Sequence, residues 1–238
     1  MHRFFAQALE NNTARLLPEE EAHCLRVLRM AAGDACQALV DGRIFAARIL
    51  SVSPGVTLEL TEEMPSPEAR VRATLYQGIP KGDKMDYIVQ KCTEAGVCRV
   101  VPVAFSRCVA RWDGKDAEKK RQRLQRIAAE AAKQSGRALL PQIEAPLDFS
   151  ALCRVLPRHA LALVPWEEQR GRGIASQWQG QEDVALVIGP EGGISAGEIE
   201  ALTAAGGVPV TLGPRIFRTE TAGLAALISL LTLSGDMQ

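Results

Sequence analysis

The sequence is poor in the residues that build metal sites and covalent cross-links. Three histidines and six cysteines occur in 238 residues, and neither type recurs at ligand spacing. Cys24, Cys36, Cys92, Cys98, Cys108 and Cys153 form no C-x-x-C pair, and His2, His23 and His159 lie far apart. Structural zinc sites draw on sequence-local pairs of these types, so no metal is expected. The opening MHRFFAQALENN lacks the apolar core of a signal peptide, and the longest apolar run, Ala222 to Leu233, is too short to cross a bilayer. A cytoplasmic protein without a disulfide framework is expected, with no membrane partner. Charge of either sign is also not in excess: 28 basic residues face 28 acidic ones. Any role with nucleic acid must therefore come from a local basic patch.

What is present divides into two regions with different periods. Up to about Leu60 the chain reads as short strands with one helix, Pro18 to Arg29, which puts Ala22, Leu25 and Leu28 on one face. Gln37–Val40 and Ile44–Val52 flank Asp41-Gly42, the pair that supplies the positive φ of a type I′ hairpin turn. Ser53-Pro54-Gly55 then leads to an alternating strand, Val56–Leu60. A small barrel-like β module is expected. The stretch EEMPSPEAR, Glu62 to Arg70, marks a boundary that divides the chain into residues 1–68 and 69–238.

Beyond it strands and helices alternate. Strands are expected at Val71–Tyr76, Arg99–Val103, Ala160–Val164, Val184–Ile188 and Val208–Leu212. Helices are expected at Lys84–Ala95, Ala117–Gln134, Ser195–Ala205 and Glu220–Leu233. This alternation argues an α/β domain on a parallel sheet, with ligands held beyond the carboxyl ends of the strands.

Two glycine loops fall at such ends. The first, Gly189-Pro190-Glu191-Gly192-Gly193, matches neither common phosphate loop, and Glu191 would repel a phosphate. The string Gly193-Ile194-Ser195-Ala196-Gly197 imitates a hydrolase elbow, but four residues separate it from the strand and no histidine follows His159. Ser195 with Glu198 reads instead as a capping box. A plain tight turn without ligand is the bland alternative. The second loop, Leu212-Gly213-Pro214-Arg215-Ile216-Phe217-Arg218-Thr219-Glu220-Thr221, counts against it, because Arg215, Arg218 and Glu220 are hard to explain in a mere connection. In structural terms Thr219 or Thr221 reads as an N-cap, and Ile216 and Phe217 as core.

IGPEGGIS and LGPRIFRTETA resemble the two cofactor motifs of the SPOUT methyltransferases, and most closely the family that methylates N3 of a uridine in bacterial 16S ribosomal RNA. His23-x-x-Arg26-Val27-Leu28-Arg29-Met30, Asp41-Gly42, Lys81-Gly82-Asp83-Lys84-Met85, Gln90-Lys91, Glu94-x-Gly96, Ser106-Arg107-Cys108 and Gln134-Ser135-Gly136-Arg137 follow the family's order over nearly the whole chain. Gln142 departs from it, standing where the family carries glutamate.

The resemblance implies an N-terminal PUA-like RNA-binding domain, a SPOUT domain tied in a trefoil knot, and a homodimer. It also implies S-adenosylmethionine, held by Pro165, by Ile188, Gly189, Pro190, Glu191, Gly192 and Gly193, and by Leu212, Gly213, Ile216, Phe217 and Thr219. Backbone groups of Ile188, Gly189, Leu212 and Ile216 are expected to bond adenine and ribose. Glu191 either meets the cofactor's cationic groups or shapes the loop. Arg218 is the expected catalytic residue, with pairing to Glu220 or to phosphate as the alternative.

Three basic sets are candidates for the ribosomal RNA contact. From Arg107 to Arg137 ten basic residues, Lys133 among them, stand against four acidic ones, a net of plus six. Arg3, His23, Arg26 and Arg29 form a second set, the last three on one helical face. Lys81 and Lys84 form the third, at the sheet edge of the cofactor loops. Such patches supply salt-dependent affinity, while a solvated helix face is the bland reading of any charge run. Other readings stay open: a SPOUT enzyme acting on ribose 2′-oxygen or on transfer RNA, or an RNA-binding protein without catalysis.

Overall fold

The computed structural model describes residues 1–237, which form two compact units. The first comprises Met1–Glu68 together with Gly136–Leu140, and the second Ala69–Ser135 and the chain from Pro141 onward.

The first unit is a closed barrel. Its strands are β1 (Arg3–Ala8), β2 (Thr13–Leu16), β3 (Ala35–Val40), β4 (Arg43–Ser51) and β5 (Thr57–Met64), in the order β1-β2-β5-β4-β3 with β1 paired to β3. The β3–β4 turn takes φ of 50° at Asp41 and 84° at Gly42, the type I′ pattern expected of this pair. Phe4, Ala38, Ile49 and Leu58 fill the interior with their neighbours. Closure removes the free edges that an open five-stranded sheet would leave.

Two expectations fail here. Glu62 and Glu63 belong to β5 rather than to a connection, because the strand stays paired with β4 as far as Met64, Phe45 lying opposite Glu63, and Glu63 also pairs with Arg43. The expected helix to Arg29 is α1 (Pro18–Ala22) followed by a π-helical turn, His23–Val27. The Leu28 N–H reaches back five residues to the His23 carbonyl at 3.0 Å, and Arg29 lies at φ 55°. The wider turn buries Cys24 and breaks the three-residue register, so His23, Arg26 and Arg29 are exposed but not stacked on one α-helical face.

The second unit contains β6 (Arg72–Gly78), α2 (Lys84–Ala95), β7 (Arg99–Ala104), α3 (Gly114–Gln134), β8 (Gln142–Ile143), β9 (Leu147–Asp148), α4 (Phe149–Val155), β10 (Leu161–Pro165), β11 (Asp183–Ile188), α5 (Ala196–Ala204), β12 (Gly207–Val210) and α6 (Thr219–Leu233). The parallel sheet runs β12-β10-β11-β6-β7-β8, with β9 also pairing β7. Alternate strand residues serve two cores. Leu75, Leu163 and Leu186 pack with Val89, Leu124 and Leu227 from α2, α3 and α6. Val101, Val164 and Val187 pack with Leu152, Ile199 and Leu202 from α4 and α5. Strands buried on both faces read as continuous apolar runs, which is why β11 is VALVI.

β12 lies at the sheet edge, yet α6, which follows it, packs on β11 and β6 at the centre. The intervening loop therefore crosses back past the loop after β11, the crossing expected of a knotted SPOUT chain.

Candidate functional site

The carboxyl ends of β6, β10 and β11 converge where the two glycine loops meet. β6 ends at Gly78, where an added Cβ would lie 2.5 Å from the Pro190 nitrogen, so only glycine lets the first loop fold over the strand. That loop closes with Gly193 at φ 71° and hands over to α5 through Ser195. The Ser195 hydroxyl donates to Glu198 at 2.8 Å, and the Glu198 carboxylate accepts the Ser195 N–H at 3.0 Å and the Ser106 N–H at 2.7 Å. Ser195 is thus a cap, as its spacing predicted, and its hydroxyl is committed to a carboxylate rather than to a histidine. His159 lies elsewhere, between the Tyr76 hydroxyl at 2.9 Å and Asp183 at 3.0 Å.

Thr219 joins the two loops. Its hydroxyl donates to the Gly189 carbonyl at 2.7 Å and accepts from the Gln77 amide at 2.9 Å, and Gln77 is fully buried. Neither Thr219 nor Thr221 caps α6. The capping position belongs to Arg218, whose backbone is extended and whose carbonyl accepts the Thr221 and Ala222 N–H groups. Ile216 and Phe217 are not core either. They are 81% and 39% exposed, because they sit on the loop that crosses back over the sheet end instead of beneath a helix.

Together the loops enclose a cavity of about 520 Å³. Every residue expected to hold a cofactor lines it: Pro165 after β10; Ile188, Gly189, Pro190, Glu191, Gly192 and Gly193 after β11; Leu212, Gly213, Ile216, Phe217 and Thr219 beyond β12. Arg218 lines it too. The sequence reading missed Trp166, Glu167 and Arg170, which follow the end of β10 on the same wall. Their signal was present, since they immediately succeed an apolar strand in a parallel sheet.

The charges at the rim are mutually arranged. The Lys84 ammonium stands 3.0 Å from a Glu191 oxygen and 3.3 Å from Glu220, and the Lys81 N–H donates to Glu191 at 3.1 Å. Burial works to raise the Glu191 carboxyl's pKa, but hydrogen bonds from Lys84 and from backbone amides outweigh it and hold the group below its ordinary value. The Glu191 hydrogen bond conversely raises the pKa of Lys84. Lys84 thus lines the cavity with its charge engaged by two carboxylates. Glu191 shapes the loop through the same bonds.

The remaining basic candidates disperse. Arg137 is 5% exposed and bonded to Glu68, which removes it from any surface patch. Arg3 is exposed but directed by Gln37 at 2.8 Å and by the Gly136 carbonyl. On and near α3, Lys120 pairs with Asp116, Arg121 with Glu118, Arg123 with Asp86, and Arg107 donates to the Gly192 carbonyl. Lys81, Lys115, Lys119, Arg126 and Lys133 are exposed.

Comparison with known proteins places this arrangement. Residues 67–231 match the model of an RNA methyltransferase domain. A ribosomal RNA small subunit methyltransferase E from Bacillus subtilis is 36% identical over 95% of this chain and 94% of its own. A ribosomal RNA small subunit methyltransferase E from Neisseria gonorrhoeae, solved bound to S-adenosylmethionine, superposes with a TM-score of 0.76 at 31% identity, over 98% of both chains. A Legionella pneumophila methyltransferase, solved with the same cofactor bound, gives 0.77 at 30% identity over 97% and 96%. The chain belongs to the ribosomal RNA small subunit methyltransferase E family, with a barrel followed by a SPOUT-type domain.

Proposed function

We propose that the protein transfers a methyl group from S-adenosylmethionine to N3 of a uridine in small-subunit ribosomal RNA. The observation that carries this reading is the convergence of both glycine loops on one cavity with Arg218 at its lining. The residues fit the cofactor. The volume suits a molecule of nucleoside size, and glycines let backbone donors and acceptors approach it. Glu167 offers negative charge for a cationic ligand, and Glu191 and Glu220, which share the single Lys84 ammonium, leave one further charge between them. When bound, the cofactor supplies a methyl group activated by a sulfonium.

The chain's own contribution is alignment and charge. Attack by N3 requires loss of its proton, and the resulting negative charge spreads onto O2 and O4. A guanidinium beside those oxygens favours the deprotonated base, as an opposite charge does for any acid. Arg218 takes that role, held at the start of α6 by a helix end that Thr219 anchors to the first loop at Gly189 and to Gln77 of β6. Because N3 is occupied in a Watson–Crick pair, the target uridine is read unpaired or extruded. Arg3, His23, Arg26, Arg29, Lys81 and Lys133 supply phosphate contacts. A second copy of the chain covers exposed apolar side chains such as Ile228 and Leu233 of α6, giving a homodimer.

The test is methyl transfer to small-subunit RNA, free and in assembled subunits, followed by nucleoside mass spectrometry. 3-Methyluridine is the expected product. A ribose 2′-O-methylated product, or none with either substrate, would overturn the reading.

A further inference from the structure

A second cavity, of about 280 Å³, is lined in part by the turn between β6 and α2 and shares no lining residue with the first. We propose that it is a nucleobase subsite that seats a guanine of the RNA substrate near the methylated uridine; this rests on the RNA-methylating function proposed above.

Four features converge on that ligand. The size suits one base rather than a whole cofactor, lying below the usual range for small-molecule pockets. The floor is apolar, made by Met85 and Leu124, each 2% exposed. One wall is Trp112, a flat aromatic surface on which a base can stack. The rim carries both a carboxylate and cations, matching a base with N–H donors attached to a phosphate chain.

The carboxylate is Asp83. It occupies the capping position of α2 yet makes no capping hydrogen bond, and its side chain is 85% exposed. An aspartate in that position normally bonds the first helical turn. Here it lines the cavity instead, with the Arg123 guanidinium 3.6 Å away and Arg123 itself bonded to Asp86. A carboxylate accepting two parallel hydrogen bonds matches the N1–H and N2–H edge of guanine. Uracil offers one N–H between two carbonyls and would set oxygens against the carboxylate.

Lys120 occupies the place the base would take. Its ammonium stands 5.2 Å from the centre of the Trp112 ring while pairing with Asp116. Such a contact at an exposed site is weak, so a stacked base displaces it at little cost and gains the ammonium as a phosphate partner. The placement also fits the chemistry. Lys84, one residue from Asp83, lines the large cavity, so one short turn separates the two sites.

The experiment uses the full-length protein. Indole ¹⁵N–¹H signals are followed during titration with guanosine 5′-monophosphate and, separately, uridine 5′-monophosphate; Trp112→Phe assigns the Trp112 signal. The guanosine nucleotide should shift that signal saturably, about ten-fold more tightly than the uridine nucleotide, and Asp83→Asn should erase the preference. On small-subunit RNA, Asp83→Asn should raise KM about ten-fold, with a smaller change in kcat and unaltered S-adenosylmethionine affinity. An unmoved Trp112 signal, equal response to both nucleotides, or an unchanged KM would overturn the proposal. Failure of the methylation reading shows separately, as wild-type protein that makes no 3-methyluridine whatever the nucleotides do at Trp112.

Discussion

The Glu68 carboxylate gathers one short stretch of chain around Arg137. Arg137 donates to it through Nη2 at 2.5 Å and Nε at 3.2 Å, and the Ala138 and Leu139 N–H groups donate at 2.8 and 2.9 Å. The two side chains are only 6% and 14% exposed. This bonding explains why residues 136–140 belong to the barrel unit although the sequence around them belongs to the sheet. Removing one member of a buried pair leaves the other charged and unsatisfied, at a cost of about 3–5 kcal/mol. Glu68→Ala should lose stability on that scale in urea denaturation, and Glu68→Gln, which keeps an acceptor for the amides, should lose less. Equal stability of wild type and Glu68→Ala would show that the segment is held by other contacts.

Thr219 is the single hydroxyl between Gln77 and Gly189. Valine at this position preserves shape but removes the donor and the acceptor together, leaving the Gly189 carbonyl without that partner. Thr219→Val should cost about 1–3 kcal/mol and weaken S-adenosylmethionine binding, because the loop it anchors forms the cavity wall. Thr219→Ser should behave nearly as wild type. Calorimetric titration of both variants decides it; unchanged affinity in the valine variant would mean that the loop is held independently.

How far the sequence discloses this site depends on the kind of signal. VALVI followed by Gly189 and the Ser195-Glu198 box reveals β11, its loop and the start of α5, because each rests on local rules. The exposure of Ile216 and Phe217 was not legible, since it follows from the return of the chain across the sheet, which no local period encodes. The burial of Arg137 was missed for the same reason: its partner Glu68 lies 69 residues away. The ion pairs of Lys84 with Glu191 and Glu220 were equally hidden, since both carboxylates are distant in sequence. The π-helical turn at His23–Val27 also hid behind a plausible i, i+3 pattern, and only the backbone reveals that the register breaks.

Acid sensitivity should be traceable to Glu198. Burial tends to raise its pKa, but hydrogen bonds from Ser106 and Ser195 more than offset this, so the folded-state value lies below the ordinary 4.5. A carboxyl that holds its proton less tightly when folded stabilises the fold fully above its unfolded pKa. That contribution is lost as pH falls from there through the depressed folded value. Thermal unfolding between neutral pH and about pH 3 should therefore show a shallower acid loss for Glu198→Gln than for wild type, with lower stability at neutral pH. Parallel pH profiles for the two proteins would remove Glu198 from the account.

Arg218 provides the sharpest separation between binding and chemistry. Its backbone starts α6, but its side chain makes no capping bond, so Arg218→Ala removes a charge from the cavity without taking a cap from the helix. If the guanidinium stabilises charge on the uracil oxygens, the interaction exists mainly when N3 is deprotonated. Loss of such a donor typically slows the chemical step by about 10²–10³-fold. Arg218→Ala should then reduce single-turnover methylation on that scale while S-adenosylmethionine affinity changes little. The defect should also shrink as pH rises, because hydroxide increasingly supplies the deprotonated base that the arginine otherwise favours. A defect independent of pH, accompanied by a matching rise in KM for RNA, would instead assign Arg218 to phosphate binding. Wild-type turnover in the variant would exclude it from both roles.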